Sequence, residues 1–158
     1  MSANRELATR FEQAHNELIE LLAPLDADDW RAVCGGEGWS VGVTAHHIAA
    51  SYGATLHYVP AMMSGEIAPL TWDNLHQANA MHAEQFAGVT RDETIELLRA
   101  DGQRVSAWLA GLHPDELAQT IVLPLAGDEP VTLQAIVEGF LIGHIAGHRA
   151  SIEAAIEE

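Results

Sequence analysis

The sequence contains no lysine, and each of its seven basic residues is an arginine. A Schiff-base lysine and the lysine of a phosphate-binding P-loop are therefore excluded. Acidic residues number 23, which sets the formal net charge at −16, so the phosphate backbone of a nucleic acid would be repelled. We therefore expect neither lysine-dependent chemistry nor a nucleic-acid partner.

Cysteine is almost absent as well, since Cys34 is the only one. Neither a disulfide within the chain nor a zinc cluster of several thiolates can form. A reducing compartment fits this, and the N-terminus lacks the pattern of a secretory signal, so we predict a cytoplasmic protein. The most apolar run, residues 135–146, is shorter than the ~20 residues of a membrane span, so no membrane partner is expected.

Apolar residues recur at three- and four-residue steps, which is typical of amphipathic helices. Helices are predicted over residues 5–25, from Ser40 to about Val59, from Thr71 to Leu112 with a break at Gly88, and over residues 133–157. The four glycines of residues 33–42 indicate a loop, and residues 120–133 an irregular segment or short hairpin. A single all-α domain, residues 1–158, with a four-helix bundle is therefore predicted.

Local signals predict where these helices begin and end. Ser40 is expected to cap the second helix, and Pro60 and Gly65 to end it. Thr90 and Glu93 have the spacing of a capping box. The first helix is expected to bury six residues at helical spacing: Leu7, Phe11, Ala14, Leu18, Leu21 and Leu25.

Nine histidines is a high number for 158 residues. His144 and His148 lie four residues apart, so on a helix they occupy one face. Two neutral imidazoles in an apolar setting each need a hydrogen-bond donor and an acceptor, and a shared cation would satisfy both. We therefore predict that both bind a metal ion. The predicted inward face of this helix also carries Leu133, Val137, Phe140, Leu141, Ile152 and Ala155.

A tight metal site usually has three or more ligands, so a third is expected from another helix. Hydrophobic periodicity does not decide between His46 and His47, because both lie off the centre of their helix's apolar stripe. The candidates on other helices are His15, His46, His47, His57, His76 and His82.

Two motifs give the sequence a resemblance to a known family. Gly38-Trp39-Ser40 followed by His47, and the closing HxxxH of His144 and His148, resemble the motifs of the DinB-like superfamily. That group includes the N-terminal domain of mycothiol-dependent maleylpyruvate isomerase. The resemblance spans essentially the whole chain and implies a metal site of His47, His144 and His148.

The resemblance also implies a function, because the family site leaves positions open for water or substrate, as catalytic metal sites do. We expect a divalent ion (zinc, nickel or iron) and a small-molecule substrate. The leading hypothesis is a metal-dependent thiol transferase or isomerase that uses a low-molecular-weight thiol. A metal-dependent hydrolase and a non-enzymatic metal- or ligand-binding bundle are the alternatives. A homodimer is expected, and no catalytic residue is assigned.

Overall fold

The computed structural model describes residues 1–157, most of which are helical. The α-helices are α1 (Ala3–Leu22), α2 (Ala27–Arg31), α3 (Val41–Ser64), α4 (Trp72–Gln85), α5 (Arg91–Gly111), α6 (Pro114–Leu117), α7 (Leu133–Ile136) and α8 (Gly143–Glu157). Strands β1 (Thr120–Leu123) and β2 (Glu129–Thr132) flank a 3₁₀ turn at Pro124–Ala126. A π-helical segment, Val137–Ile142, joins α7 to α8. The predicted all-α class is confirmed.

Four of these helices form the bundle. Helix α1 packs on α5, α5 on α3, α3 on α8, and α8 on α1, which closes a ring around the core. Each helix contributes at least one fully buried side chain, as Phe11, Tyr52, Leu98 and Ile145 show. Helix α4 lies outside this ring and has no buried residue. The predicted four-helix bundle therefore consists of α1, α3, α5 and α8.

The inward face of α1 differs from the prediction at two positions. Ala14 and Leu21 are only partly buried, while His15 and Leu22 are buried in their stead. His15 is tolerated there because its ring nitrogen Nδ1 is hydrogen-bonded to the hydroxyl of Tyr52 at 3.0 Å, so both polar groups are paired. The other predicted positions are confirmed, since Leu7, Phe11, Leu18 and Leu25 are buried.

Side-chain caps begin several helices. Ser40 accepts a hydrogen bond from the backbone N–H of Val43, and the capping box of Thr90 with Glu93 is present, both as predicted. Asp26 caps the short helix α2, which follows the first helix. Aspartate suits this position because its carboxylate accepts two backbone N–H groups there.

Pro60 does not end α3, so that prediction is wrong. The helix continues to Ser64 and ends where Gly65 adopts a left-handed conformation with φ of 81°. Proline removes one backbone donor, but Val59 and Met62 on either side of it are buried in the core. Burial of these two side chains stabilises the last turn and outweighs the local preference of proline.

The segment before the last helix is a hairpin, as predicted. Strands β1 and β2 are antiparallel, with Thr120 opposite Thr132 and Leu123 opposite Glu129. Leu123 is buried and anchors the hairpin to the helices. Thr132 then caps α7 through the backbone N–H of Ala135, so the hairpin leads directly into the last helical stretch.

The last helical stretch is not regular along its length. The π-helical segment has a wider turn than an α-helix, which shifts the faces of the residues before α8 relative to a strict 3.6-residue period. Phe140 was expected to face inward but is 38% exposed, and this shift is the physical reason. Leu133, Val137, Leu141 and Ile152 are buried as predicted.

No helix within residues 1–157 combines the length and the apolar composition that crossing a lipid bilayer requires.

Candidate metal centre

Three histidines from two helices of the bundle come together. His47 lies on α3, and His144 and His148 lie on α8. One ligand-capable atom from each residue lies within 4.8 Å of the others, and all three residues are half-buried. The structure thus brings together the three residues that the sequence predicted, and this group could hold a metal ion.

The three imidazole rings surround a common point. Ring centroids are 4.8 Å apart for His47 and His144, 4.9 Å for His47 and His148, and 4.5 Å for His144 and His148. Ligand nitrogens at about 2.0–2.1 Å from a zinc ion in a tetrahedral site lie roughly 3.3 Å from one another. The ligand atoms of the three histidines all lie within 4.8 Å of one another, which is near this spacing.

Local structure explains why these side chains meet. His144 and His148 are one turn apart on α8. The π-helical segment immediately before α8 changes the helix face on which His144 lies relative to the core residues upstream of it. On α3, the cap at Ser40 fixes the start of the helix two turns before His47. Trp39 holds the His47 ring edge-on, with centroids 5.2 Å apart.

Burial keeps two of the rings neutral. Burial above all, and then the neighbouring rings of His144 and His148, lower the pKa of His47 to about 3. Burial and then His148 lower the pKa of His144 to about 4. At pH 7 both rings are therefore uncharged, which is the form that binds metal ions. The two Nε2 atoms lie 2.9 Å apart, so one ring donates its Nε2–H to the other.

His46, the rival to His47, points to a different partner. Its Nδ1 atom is hydrogen-bonded to Nε2 of His82 on α4 at 2.7 Å. Its ring also stacks on Phe86, with centroids 4.1 Å apart. His46 does not belong to the group of three that could hold a metal. The structure therefore favours His47 over His46 as the third member.

Glu37 contacts the site but was not singled out by the sequence. Its Oε1 lies 2.9 Å from Nδ1 of His148, and the two side chains are 12% and 20% exposed. The available signal was its position as the one acidic residue in the glycine-rich loop directly before Trp39. Spacing could not reveal the contact, because Glu37 and His148 are 111 residues apart in the chain.

The other candidate histidines lie elsewhere. His57, His76 and His113 are exposed, and His15 is the buried partner of Tyr52 in the core. Within residues 1–157, no further group of three histidine, cysteine or acidic side chains is close enough to hold an ion. The one cysteine, Cys34, is fully buried in its loop, and burial is the main cause that raises the pKa of its thiol.

The chemistry of the site fits a divalent cation. Nδ1 of His144 and Oε2 of Glu37 are buried without a hydrogen-bond partner in the described residues, and such atoms are costly in a site without compensating charge. Imidazole nitrogen is a good ligand for zinc, nickel and iron alike. The donor set therefore fits a divalent ion of this class and does not select one metal.

Comparison with known proteins identifies the family. No curated protein and no solved structure matches the chain. The family model of the DinB superfamily matches residues 10–152, a stretch that includes Glu37 and all three histidines of the candidate metal centre. The predicted resemblance is confirmed, and the chain belongs to the DinB superfamily.

Proposed function

We propose that the protein binds a divalent metal ion through His47, His144 and His148 and uses it in thiol-transfer chemistry with a low-molecular-weight thiol. The observation that carries this proposal is the convergence of three imidazole nitrogens without a fourth protein ligand among the described residues. Three protein ligands with an open position are the usual form of a catalytic zinc site, whereas structural sites fill all four.

The size of the fold supports a catalytic role for this site. A bundle of 158 residues closes its core without a disulfide and without the three histidines, which are half-buried beside that core. Domains of this size rarely depend on a metal to fold, whereas much smaller ones often do. A metal in this position is therefore better suited to reaction than to holding the chain together.

Bound next to the triad, a thiol would react as its thiolate, because a divalent ion lowers the pKa of a coordinated thiol and releases its proton at neutral pH. The sulfur would then form a bond to an electrophilic carbon of the second substrate. In a conjugation, a leaving group would depart from that carbon with the bonding electron pair. His47, His144 and His148, which are half-buried, would hold the ion that supplies this acidity.

The experiment is a thiol screen of purified protein. Mycothiol, bacillithiol and glutathione are each incubated with a generic electrophile, with and without added zinc, nickel or iron(II). We expect metal-dependent consumption of one thiol, with loss of that activity in His148→Ala but not in the exposed His113→Ala.

Two other outcomes would replace the transferase. Metal-dependent cleavage of an ester without consumption of any thiol would identify a hydrolase, in which the ion activates a bound water. Metal bound without turnover of either substrate would identify a non-enzymatic binding protein.

Homodimerisation and a cytoplasmic location stay predictions of the sequence. Large apolar side chains available for self-association are exposed on α3 and α4, including Tyr58, Trp72 and Met81. Light scattering coupled to gel filtration would measure the mass of the particle, and we expect twice the chain mass of 17.0 kDa.

A further inference from the structure

A carboxylate is hydrogen-bonded to one of the three histidines. Glu37 Oε1 lies 2.9 Å from Nδ1 of His148, which is the ring nitrogen adjacent to the side-chain stem. The side chain of Glu37 is 12% exposed, so this contact is well shielded from water. Its other oxygen, Oε2, is buried without a hydrogen-bond partner among residues 1–157. Neither the histidine motifs nor the family match assigns a role to Glu37.

The loop that carries Glu37 is well ordered by backbone hydrogen bonds. Val33 and Ser40 pair as an antiparallel bridge, and the N–H of Cys34 donates to the carbonyl of Trp39 at 2.8 Å. The N–H of Gly38 donates back to the carbonyl of Cys34, also at 2.8 Å. Gly38 has φ of 72°, a conformation that side chains disfavour, so glycine is required for this turn.

The same loop packs against α8. A Cβ atom built on Gly36 would lie 3.7 Å from Oγ of Ser151, which is less than one turn beyond His148. Glu37 is therefore presented to His148 by a preformed turn rather than by a flexible strand of chain. Because this turn already holds Glu37 in place, forming its hydrogen bond to the His148 ring costs little conformational entropy.

The hydrogen bond determines where His148 carries its proton. An ionised carboxylate only accepts hydrogen bonds, so Nδ1 of a neutral His148 must be the donor. The lone pair of that ring is then on Nε2, the nitrogen at the far side from Glu37. Metal-binding histidines commonly donate their second ring N–H to a carboxylate in this way.

Charge supports the same arrangement. Three neutral imidazoles supply no charge to balance a divalent ion, whereas Glu37 supplies one negative charge next to the group. A buried carboxylate beside neutral rings alone is costly, and a cation at the triad offsets that cost. An ion bound by the triad would therefore compensate the unpartnered Oε2 of Glu37.

We propose that Glu37 is a positioning residue of the metal centre, which fixes His148 in the tautomer with its proton on Nδ1 and directs Nε2 towards the metal. This inference rests on the proposed metal-binding function and adds a fourth residue to it. Glu37 acts through His148 and does not need to contact the substrate.

The first test reads the tautomer in metal-free protein. Long-range proton–nitrogen correlation spectra of ¹⁵N-labelled protein at pH 7.5 distinguish a protonated Nδ1 from a protonated Nε2 in His148. We expect the Nδ1–H form in the wild type and in Glu37→Gln, whose amide oxygen still accepts the hydrogen bond. In Glu37→Ala the Nε2–H form should become the larger population. A tautomer unchanged in Glu37→Ala would overturn the positioning role.

The second test measures zinc affinity by competition with a chromophoric chelator. Loss of an outer carboxylate partner typically lowers metal affinity about 10- to 100-fold, so we expect a decrease of this size in Glu37→Ala. Glu37→Gln should fall between this variant and the wild type, because it keeps the hydrogen bond but loses the charge. The matched control is Glu20→Gln, which removes one charge from an exposed position on α1.

The two tests separate the possible failures. Glu37→Gln preserves the size of the side chain and is expected to fold even if Glu37→Ala does not. A zinc affinity of Glu37→Gln equal to that of Glu20→Gln would overturn the proposal. Wild-type protein that binds no divalent metal would instead overturn the metal centre and the proposed function together. If the wild type binds zinc and both Glu37 variants bind it with the same affinity, only the role of Glu37 is refuted and the metal centre is supported.

Discussion

Two adjacent histidines on α3 have different surroundings. His47 meets His144 and His148 on α8, and the ring of His82 lies edge-on to it at 5.7 Å. His46 meets His82 on α4 and Phe86 just after that helix. Successive residues on a helix point about 100° apart, so neighbours in sequence reach different helices. Both rings have a pKa lowered mainly by burial. The difference lies in the number of nitrogens that converge: three around His47 and two around His46.

This comparison shows that burial of an imidazole does not identify a metal ligand. In the pair of His46 and His82, one ring can donate to the other over 2.7 Å, which satisfies both atoms in contact without a cation. Around His47 a third ring and a buried carboxylate are added, whereas one buried Nδ1 is left unpaired in each cluster, that of His144 here and that of His82 beside His46. The first arrangement is a structural contact, and the second is suited to an ion.

Exchange of each histidine for alanine should separate the two clusters most clearly. We expect His47→Ala to lower zinc affinity by more than about 100-fold, because losing even an outer partner of a ligand costs 10- to 100-fold. His46→Ala should change the affinity by less than about tenfold. Competition titration and metal analysis of the purified variants measure both. Equal losses in the two variants would contradict the assignment of His47.

Acid should destabilise the metal-free protein through these buried rings. The ordinary histidine pKa is about 6.5, whereas the pKa is about 3 for His47 and about 4 for His82 and His144. Between these values the unfolded chain binds more protons than the folded one, so stability is complete above pH 6.5 and falls as the pH drops towards 4.

The measurement is the urea midpoint at pH 7 and pH 5 in the presence of a chelator. The wild type should lose more stability between these two conditions than His47→Gln, which lacks one of the groups that resist protonation. His144→Gln should behave as His47→Gln does. If the wild type and both variants depended on pH to the same extent, the histidine contribution would be refuted.

A smaller effect is expected from the pair around His46. His82→Phe keeps an aromatic ring next to Phe86 but removes the nitrogen that bonds His46, which leaves Nδ1 of His46 buried without a partner. The free energy of unfolding should fall by about 1–3 kcal/mol, with zinc affinity changed by less than about threefold. His76→Phe, at an exposed position of the same helix, is the control. A large loss of zinc binding would instead make His82 part of the metal centre.

The smallest expected effect concerns Trp39, which packs edge-on against His47, whereas Phe86 stacks face to face on His46. Edge-to-face aromatic contacts are worth about 0.5–1.5 kcal/mol, so Trp39→Leu should weaken zinc binding roughly two- to tenfold. Trp72→Leu, at a position that is 51% exposed, should leave the affinity unchanged. The same titration serves for both, and equal affinities would show that Trp39 does not orient the ring.

Much of the fold could be predicted because its signals are local. The caps at Ser40 and Thr90 depend on residues three positions apart, and the apolar spacing of the bundle helices is repeated every turn. Predictions were wrong where packing outweighed a local preference, as at Pro60, or where the helix changed its period, as at Phe140. A strict 3.6-residue period contains no information about a π-helical segment.

The candidate site could be predicted in part for the same reason. The four-residue spacing of His144 and His148 places both on one face of a helix, and the choice of His47 came from the resemblance rather than from periodicity. Glu37 was missed because its contact with His148 joins a loop to a helix 111 residues away. Likewise, no pattern in the sequence predicts that His82 on α4 lies beside His46.

The sequence by itself determined the four bundle helices in outline, the absence of lysine and thiolate-cluster chemistry, and the pairing of His144 with His148, since each depends on composition or on spacing within one element. Only the tertiary structure decided that His47 rather than His46 meets that pair, and that Glu37 stands behind His148. The physical reason is that adjacent residues on a helix point in directions about 100° apart. Which neighbouring helix each one reaches depends on how the whole bundle packs.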